Sequence, residues 1–260
     1  MSTNEASKIT AGAIILVDGD KGGVGKSWTS CTILDWLLAG KQTVAAVDGD
    51  TRNPDVERMF SDSIPVLKAN LRIHTGWMDM IDFMVANPAA IIVVSMPAGI
   101  GDTMKKEAAA FISNAEMLGR PLGLVWVMNR QADSVNLLNQ ALGLIGSALR
   151  FKVAVKNLMF GESDKFLRWD GSNTKKQFEK TGGVTIDLTE LHERTVDKLM
   201  GDSTGKTDVV MPFSQAVMPV NDVSKSPHEL TPSENLELVT WLRENHNTLA
   251  TALGPLLLAA

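Results

Sequence analysis

Cysteine is nearly absent from this sequence of 260 residues, because Cys31 is its only one. One cysteine excludes an internal disulfide, a cysteine-based zinc site and an iron–sulfur cluster built by a single chain. No apolar run approaches the ~20 residues that span a bilayer, and the polar N-terminus lacks the basic-then-apolar order of a secretion signal. We therefore expect a soluble protein of the reducing cytoplasm.

Positive charge is in slight deficit: 25 Lys and Arg against 30 Asp and Glu give a net charge of −5. This balance disfavours coating nucleic acid by bulk charge, although a local basic patch stays open. With 44% hydrophobic residues, the chain can bury a real core. We expect one domain over residues 1–260, with residues 1–10 flexible and the role of the tail at 249–260 open.

Apolar runs alternate with helical patterns along the chain. The predicted strands are residues 12–18, 43–48, 90–95, 122–128 and 152–157. Helical spacing covers residues 27–39 and 134–149, and a helix-like stretch around Trp77 and Met84 precedes the third strand. The alternation predicts βαβ crossovers, and therefore an α/β fold with a mainly parallel sheet and helices on both faces.

The second half carries two capping-box patterns. DLTE at 187–190 predicts a helix that ends at Gly201, and TPSE at 231–234 predicts a final helix starting near Pro232. Between them, residues 202–227 are rich in Gly, Ser, Asp and Pro. This composition predicts a long surface connection, with a short strand near 209–211.

Two further segments could contact partners. The apolar tail at 249–260 is interrupted by Gly254-Pro255 and has no basic residue, so stable membrane binding is not expected; a packed terminus or a partner-binding peptide stays open. A basic cluster with two aromatics could touch DNA or protein, or form a solvated helix face, which is the default: Lys165, Arg168, Trp169, Lys175, Lys176, Phe178 and Lys180.

The most informative segment is KGGVGKS at residues 21–27, between a predicted strand and a predicted helix. Glycines there let backbone N–H groups converge on phosphate oxygens, and the helix N-terminus adds its positive dipole end. Lys26 would reach the β- and γ-phosphates, and the Ser27 hydroxyl would bind Mg²⁺. The residues we assign to nucleotide binding here are Gly22, Gly23, Val24, Gly25, Lys26, Ser27 and Trp28, the last with its indole expected in the core.

This loop, with Lys21 at its start, resembles the deviant Walker A motif of the ParA/MinD family of P-loop ATPases. VDGD at 47–50 resembles the family's D-x-D switch I motif, and IIVVSMPAG at 91–99 resembles its Walker B and switch II segment. Specific motifs cover about the first 130 residues, and the rest matches by element order. Small plasmid-encoded members such as TraL and StbB have a similar length and element order.

The resemblance implies roles for individual residues. Lys21 would reach across an ATP-bound dimer to phosphates held by the partner subunit, and Lys26 would act within its own subunit. Asp48 and Asp50 match the acidic pair that orders Mg²⁺ and the attacking water. Asn157 matches a region that meets the nucleotide base, although a strand-end Asn is often a turn former.

One position departs from the family pattern. The Walker B segment normally ends in Asp, whereas this sequence has Ser95, whose hydroxyl can still contact a Mg²⁺-bound water but brings no charge. Asp102 could substitute geometrically, but a solvated loop carboxylate is the simpler interpretation. The resemblance with this departure predicts MgATP binding with slow hydrolysis.

These observations lead to one expected function and two alternatives. We expect a weak ATPase that switches by ATP-dependent homodimerisation and contacts a protein partner, a DNA-binding adaptor or a transfer component. Its task would be plasmid partition or stability, conjugative transfer or cargo positioning. The alternatives are an ATP-dependent biosynthetic enzyme of the dethiobiotin-synthetase type and a nucleotide-binding scaffold that never hydrolyses.

Overall fold

The computed structural model describes residues 12–19, 21–201, 209–219, 222 and 225–258, and the side chains of these residues up to 255. Residues 1–10, for which flexibility was predicted, lie outside the described residues, as does much of the predicted surface connection. Within the described part, no helix is both long enough and apolar enough to cross a membrane.

A seven-stranded parallel sheet organises the structure, in the order β3-β2-β4-β1-β5-β6-β7. Its strands are β1 Ile14–Asp18, β2 Val44–Asp48, β3 Val66–Lys68, β4 Ile91–Ser95, β5 Leu122–Met128, β6 Leu149–Asn157 and β7 Val184–Leu188. The helices are α1 Lys26–Ala39, α2 Asp55–Phe60, α3 His74–Ala86, α4 Gly101–Met117, α5 Ala132–Ile145, α6 Leu167–Asp170, α7 Asn173–Lys180, α8 Glu193–Leu199, α9 Phe213–Ala216 and α10 Pro232–Leu258. The predicted α/β fold class is confirmed.

Each face of the sheet is covered by its own apolar layer. Ile15 and Val17 of β1 belong to the layer beneath α1 and α10, whereas Ile14 and Leu16 belong to the layer beneath α3, α4 and α5. Successive side chains of a strand point to opposite faces, so a strand buried on both sides needs a continuous apolar run. This requirement explains why β1, β4 and β5 could be recognised in the sequence.

A buried arginine holds the amino-terminal edge of the sheet. Arg120 donates hydrogen bonds to the carbonyl oxygens of Gly12, Met84, Asn87 and Ala90. These carbonyls belong to the segments before β1 and β4 and to the end of α3, so one guanidinium joins three chain segments. The five N–H donors of arginine make this many contacts possible.

Two predicted elements in the second half are wrong. The DLTE pattern does not open a helix, because Asp187 and Leu188 belong to β7 and pair with Lys156 and Asn157 of β6. The helix begins later, at Glu193 of α8. Residues 209–211 form no strand; the short helix α9 follows them instead.

The second capping box is confirmed at the start of α10. The Thr231 N–H donates to Glu234 Oε2 at 2.6 Å, and the Glu234 N–H donates to Thr231 Oγ1 at 3.4 Å. Gly254 and Pro255, which interrupt the apolar run of the tail in the sequence, do not end α10, because the helix runs on to Leu258 with Pro255 inside it. Leu249 and Leu253 are fully buried, so the helix packs on the core up to this point.

The basic cluster surrounds a buried aromatic pair. Trp169 and Phe178 pack edge to face with ring centroids 5.6 Å apart, and each is 1% exposed. Neither ring is available to stack on a nucleic-acid base. Lys175 forms an ion pair with Asp170 at 2.8 Å, which offsets part of the positive charge of this surface.

Candidate functional site

The glycine-rich loop connects β1 to α1 at the carboxyl edge of the sheet, as predicted. Gly19 begins the turn, where a Cβ atom would lie 2.4 Å from the carbonyl oxygen of Val127 in β5. Gly23 and Gly25 have φ angles of 74° and 94°, in the left-handed region that favours glycine. The sequence therefore has glycine where the backbone turns or meets a neighbouring strand.

The N-terminus of α1 faces the same loop. Gly25 is its N-cap and, having no side chain, provides no capping hydrogen bond. The first backbone N–H groups of a helix lack intrahelical acceptors, and in α1 these belong to Lys26, Ser27 and Trp28. Converging N–H groups at the positive end of a 14-residue helix suit phosphate oxygens. The loop and helix therefore have the geometry of a phosphate cradle.

The two lysines of the loop point in different directions. Lys26 is 8% exposed, and its ammonium donates to the carbonyl oxygen of Lys21 within the loop. The Lys21 ammonium instead forms an ion pair with Asp133 in the first turn of α5, and its side chain is 31% exposed. Lys26 is thus an internal part of the cradle, whereas Lys21 lies at the surface beside it.

Asp48 is a buried carboxylate that organises the backbone after β2. Its Oδ1 accepts the Asp50 N–H at 3.1 Å, and its Oδ2 accepts the Val56 and Glu57 N–H groups at 3.0 and 3.1 Å. Burial raises the pKa of Asp48 to about 6, against the lowering effect of the three N–H bonds. Asp48 therefore caps the start of α2, and its predicted role in ordering water stays a prediction.

Asp50 is half-buried at the same edge. Its Oδ1 accepts the N–H groups of Arg52 and Asn53 at 3.1 and 3.4 Å, which folds the switch-I-like segment into a turn around this carboxylate. The predicted acidic pair is thus divided between a buried helix cap and a more accessible carboxylate. Asp50 is the better placed of the two to meet a cation.

Ser95 ends β4 between two neighbouring strands. It lies in register with Val17 of β1 and Asp48 of β2, and its carbonyl oxygen accepts the Gly49 N–H at 2.9 Å. The residue is 2% exposed, so its hydroxyl lies at the buried end of β4, next to the central strand β1. Asp102 lies in the first turn of α4, not in a loop, and its side chain is 92% exposed beside Lys105. The solvated interpretation of Asp102 is confirmed.

Asn157 packs directly on the glycine-rich loop. Its Nδ2 donates to the Val24 carbonyl oxygen at 2.9 Å, and its Oδ1 accepts the Met159 N–H at 3.2 Å. A Cβ atom on Gly25 would lie 2.4 Å from this amide nitrogen, so the contact requires glycine there. Asn157 supports the loop, and its contact with a nucleotide base stays a prediction.

The indole of Trp28 is half-buried and packs against the core, where the sequence predicted it to be part of the core. Its ring centroid is 4.6 Å from that of Phe213 and 5.6 Å from that of Trp241, which joins α1 to α9 and α10. Because the indole packs on Phe213 and Trp241, the backbone N–H is the part of Trp28 that the phosphate cradle uses. The assignment of Trp28 to nucleotide binding is thereby limited to the main chain.

The oxygen donors at the site suit a magnesium ion that is also coordinated by phosphates and water. They do not form a site that would hold a metal ion through protein side chains alone. No group of three or more His, Cys, Asp or Glu residues capable of holding a metal occurs in the part of the chain that the structure describes. The Ser27 hydroxyl, the Asp50 carboxylate and the Ser95 hydroxyl are oxygen donors, the type that Mg²⁺ prefers when phosphates and water complete its shell. These residues fit a nucleotide-bound Mg²⁺.

Sequence reasoning missed the carboxylate that faces Lys21. Asp133 lies 112 residues further along the chain, and the parallel strand pair β1–β5 brings the ends of the two strands together. An acidic residue in the first turn of a helix is common for dipole reasons alone, so the sequence contains no specific signal for this contact.

A parallel sheet with a glycine-rich phosphate cradle between β1 and α1 defines the class: a P-loop α/β protein. No protein-family model matches the chain. The sequence is 30% identical over 189 residues to protein MobD from Acidithiobacillus ferrooxidans, covering 73% of this chain and 82% of that protein. The chain belongs to the MobD family.

One solved structure is a weaker match. It is a nucleotide-binding protein from Archaeoglobus fulgidus in complex with ADP, in which cobalt was found. It aligns with a TM-score of 0.45 and 16% sequence identity. The alignment covers 69% of this chain and 83% of that one. The fold class follows from the sheet and its loop, not from this similarity.

Proposed function

We propose that this protein binds MgATP at the loop between β1 and α1 and uses the γ-phosphate to switch between monomer and homodimer. Lys26, Ser27 and the N–H groups of the cradle would hold the phosphates, and Asp50 and Ser95 would face the magnesium ion. Bound Mg²⁺ neutralises phosphate charge and polarises the γ-phosphoryl group.

The observation that carries the proposal is the different placement of the two lysines. A second lysine inside the cradle would act on its own subunit's phosphates, but the Lys21 ammonium lies outside the cradle, in an exposed ion pair with Asp133. From there it can exchange Asp133 for the phosphates of a second subunit. A charge contact made only in a closed, water-poor interface favours the dimer over the monomer.

Slow hydrolysis follows from Ser95. A hydroxyl at the end of β4 brings no negative charge to the metal's water ligands. We propose a turnover well below the median enzyme value of about 10 per second. Phosphate release at saturating MgATP tests this: a rate at or above that median contradicts it. A complete lack of turnover with retained ATP binding supports the alternative of a non-hydrolysing scaffold, which the hydroxyl at this position also favours.

A matched pair of variants tests the dimer switch. Lys21→Ala should retain MgATP affinity within about three-fold and lose the ATP-dependent dimer. Arg243→Ala removes an exposed cation on α10 and should behave as wild type. Persistence of the dimer in Lys21→Ala overturns the role assigned to Lys21.

The proposed biological task rests on the ParA/MinD resemblance. Family members couple their ATP switch to a partner protein in plasmid partition or stability, conjugative transfer or cargo positioning, and we propose a task of this kind. The partner would be a DNA-binding adaptor or a transfer component that distinguishes dimer from monomer. Affinity purification with MgATP and, separately, with MgADP tests this: recovery of the same partner equally in both contradicts it.

A further inference from the structure

A pocket lies between α4 and α5, on the face of the sheet opposite α1. Its volume is about 530 Å³, within the range of small-molecule sites. The floor is formed by Asp18 at the end of β1, Trp126 of β5, and Ile100 and Met104 at the start of α4. The pocket adjoins the start of the phosphate-binding loop, because Asp18 at its floor directly precedes Gly19.

The lining residues of the pocket are buried at its floor, and those at its rim are polar and exposed. Asp18 and Trp126 are 2% and 0% exposed, and Leu137 and Leu144 of α5 form half-buried apolar walls. Gln140 and Lys105 lie at the exposed rim. A ligand would therefore place an apolar body between the helices and its inner end against Asp18.

Asp18 is the only acidic residue among the described residues that line the pocket. Asp18 accepts the Gly19 N–H at 2.7 Å, and a carboxylate can accept several further donors at once. Lys105, the only lining cation among the described residues, pairs at the rim with Asp102 at 3.1 Å, so its charge is directed to solvent. A charge at the buried floor is screened less by salt than one at the rim.

We infer that this pocket binds a small organic cation, an amine or guanidinium group on an apolar body, with its charge against Asp18. The apolar walls and Trp126 pack against the body of the ligand, and the buried carboxylate selects the charged head. Lys21, Lys26, Ser27 and Asp133 do not line this pocket, so binding to it can be tested on nucleotide-free protein.

The test uses a probe series on the nucleotide-free protein. We choose 4-phenylbutylamine as the cationic probe and 4-phenylbutan-1-ol as its neutral analogue, with binding followed by ligand-detected NMR. The wild type should bind the amine saturably and at least five-fold more tightly than the alcohol. Equal affinity for the two probes, or no saturable binding of the amine, overturns the inference.

Gly143 offers a variant that adds a large side chain at the pocket lining without changing Asp18. It lies on α5 at the pocket lining, and a Cβ atom built on it meets no heavy atom within 4 Å, so Gly143→Leu should fold normally. This variant should weaken amine binding at least ten-fold. Asn139→Leu adds the same side chain at an exposed position of the same helix outside the lining and should leave the affinity unchanged.

A separate variant tests whether Asp18 causes the preference for the charged amine over the neutral alcohol. Asp18→Asn should reduce the preference for amine over alcohol to less than two-fold while the alcohol still binds. Unchanged amine affinity in Gly143→Leu, or an amine preference that survives in Asp18→Asn, contradicts the site. Because all arms use nucleotide-free protein, their failure leaves the proposed ATP switch untouched, and failure of the switch leaves them untouched.

Discussion

The Lys21 ammonium lies against the Asp133 carboxylate, which joins the phosphate loop to the first turn of α5. Both side chains are partly exposed, at 31% and 60%. An ion pair of this kind is worth about 0.2–1 kcal/mol, little enough to be exchanged for a stronger contact. In our account it holds Lys21 in the monomer and competes with the dimer.

Removing this competition should tighten the dimer. In Asp133→Asn, neither of the two Lys21 side chains of the homodimer leaves an ion pair when it meets the other subunit, so the dissociation constant of the MgATP dimer should fall by about two- to thirty-fold. Sedimentation equilibrium over a protein dilution series measures this constant. Asp62→Asn, an exposed aspartate after α2, is the control and should not change it. A looser dimer in Asp133→Asn would show that the contact supports association.

Lys26 and Lys21 should differ in their effect on nucleotide binding. Lys26→Ala removes a charged donor from within the cradle, and hydrogen bonds to charged groups contribute about 1.5–3 kcal/mol. We expect MgATP affinity to fall by about ten- to a hundred-fold, as measured by isothermal titration calorimetry. Lys21→Ala serves as the comparison and should bind nearly as wild type. Equal losses in the two variants would place both lysines on the same phosphates.

Asp48 should make stability depend on pH in a direction opposite to that of a salt-bridged carboxylate. Burial raises its pKa from 3.8 to about 6, so the folded state holds this proton more tightly than the unfolded state does. The contribution to the free energy of unfolding is complete below pH 4 and is lost as pH rises through about 6. The loss is on the order of 3 kcal/mol.

A comparison with Asp48→Asn isolates this contribution. Urea denaturation of both proteins between pH 4 and 7 gives the difference in unfolding free energy at each pH. The wild type should lose stability relative to the variant across this interval, because the variant has no proton to release at this position. A difference that is flat with pH would contradict the raised pKa.

Arg120 should matter for stability and not for nucleotide binding. Arg120→Met keeps much of the side-chain volume but leaves buried carbonyl oxygens of Gly12, Met84 and Ala90 without this donor. Each unsatisfied buried group costs about 1–3 kcal/mol, so we expect a loss of at least about 3 kcal/mol in urea denaturation. The folded variant should bind MgATP with unchanged affinity. A loss of unfolding free energy below 1 kcal/mol would contradict the structural role assigned to Arg120.

Local signals explain which elements the sequence could predict. β1, the loop and α1 were predicted because a continuous apolar run, a glycine-rich turn and helical spacing follow one another without a break. The final helix was predicted because Thr231 and Glu234 form a box that depends on four consecutive residues. The same pattern failed at 187–190, where pairing of β7 with β6 decides the structure and no local signal reports it.

In the candidate site too, the sequence predicts the features that are local in the chain and misses those that depend on distant segments. The cradle could be predicted because its glycines and Lys26 are contiguous in the chain. The engagement of Asp48 with α2, of Asn157 with Val24, and of Lys21 with Asp133 could not be, because each depends on how distant segments meet. The tail at 249–260 was left open in the sequence, and Pro255 lies inside α10, because the other turns of a long packed helix can outweigh the hydrogen bond that one proline removes.

The mass of the wild-type protein in solution is the most direct test of the proposed ATP-driven dimer switch. Light scattering is measured once with MgATP and once with MgADP, at the same protein concentration. With MgATP we expect the mass of a dimer, twice 28.1 kDa, and with MgADP that of a monomer. A monomer with both nucleotides, or a dimer with both, would contradict an ATP-driven switch.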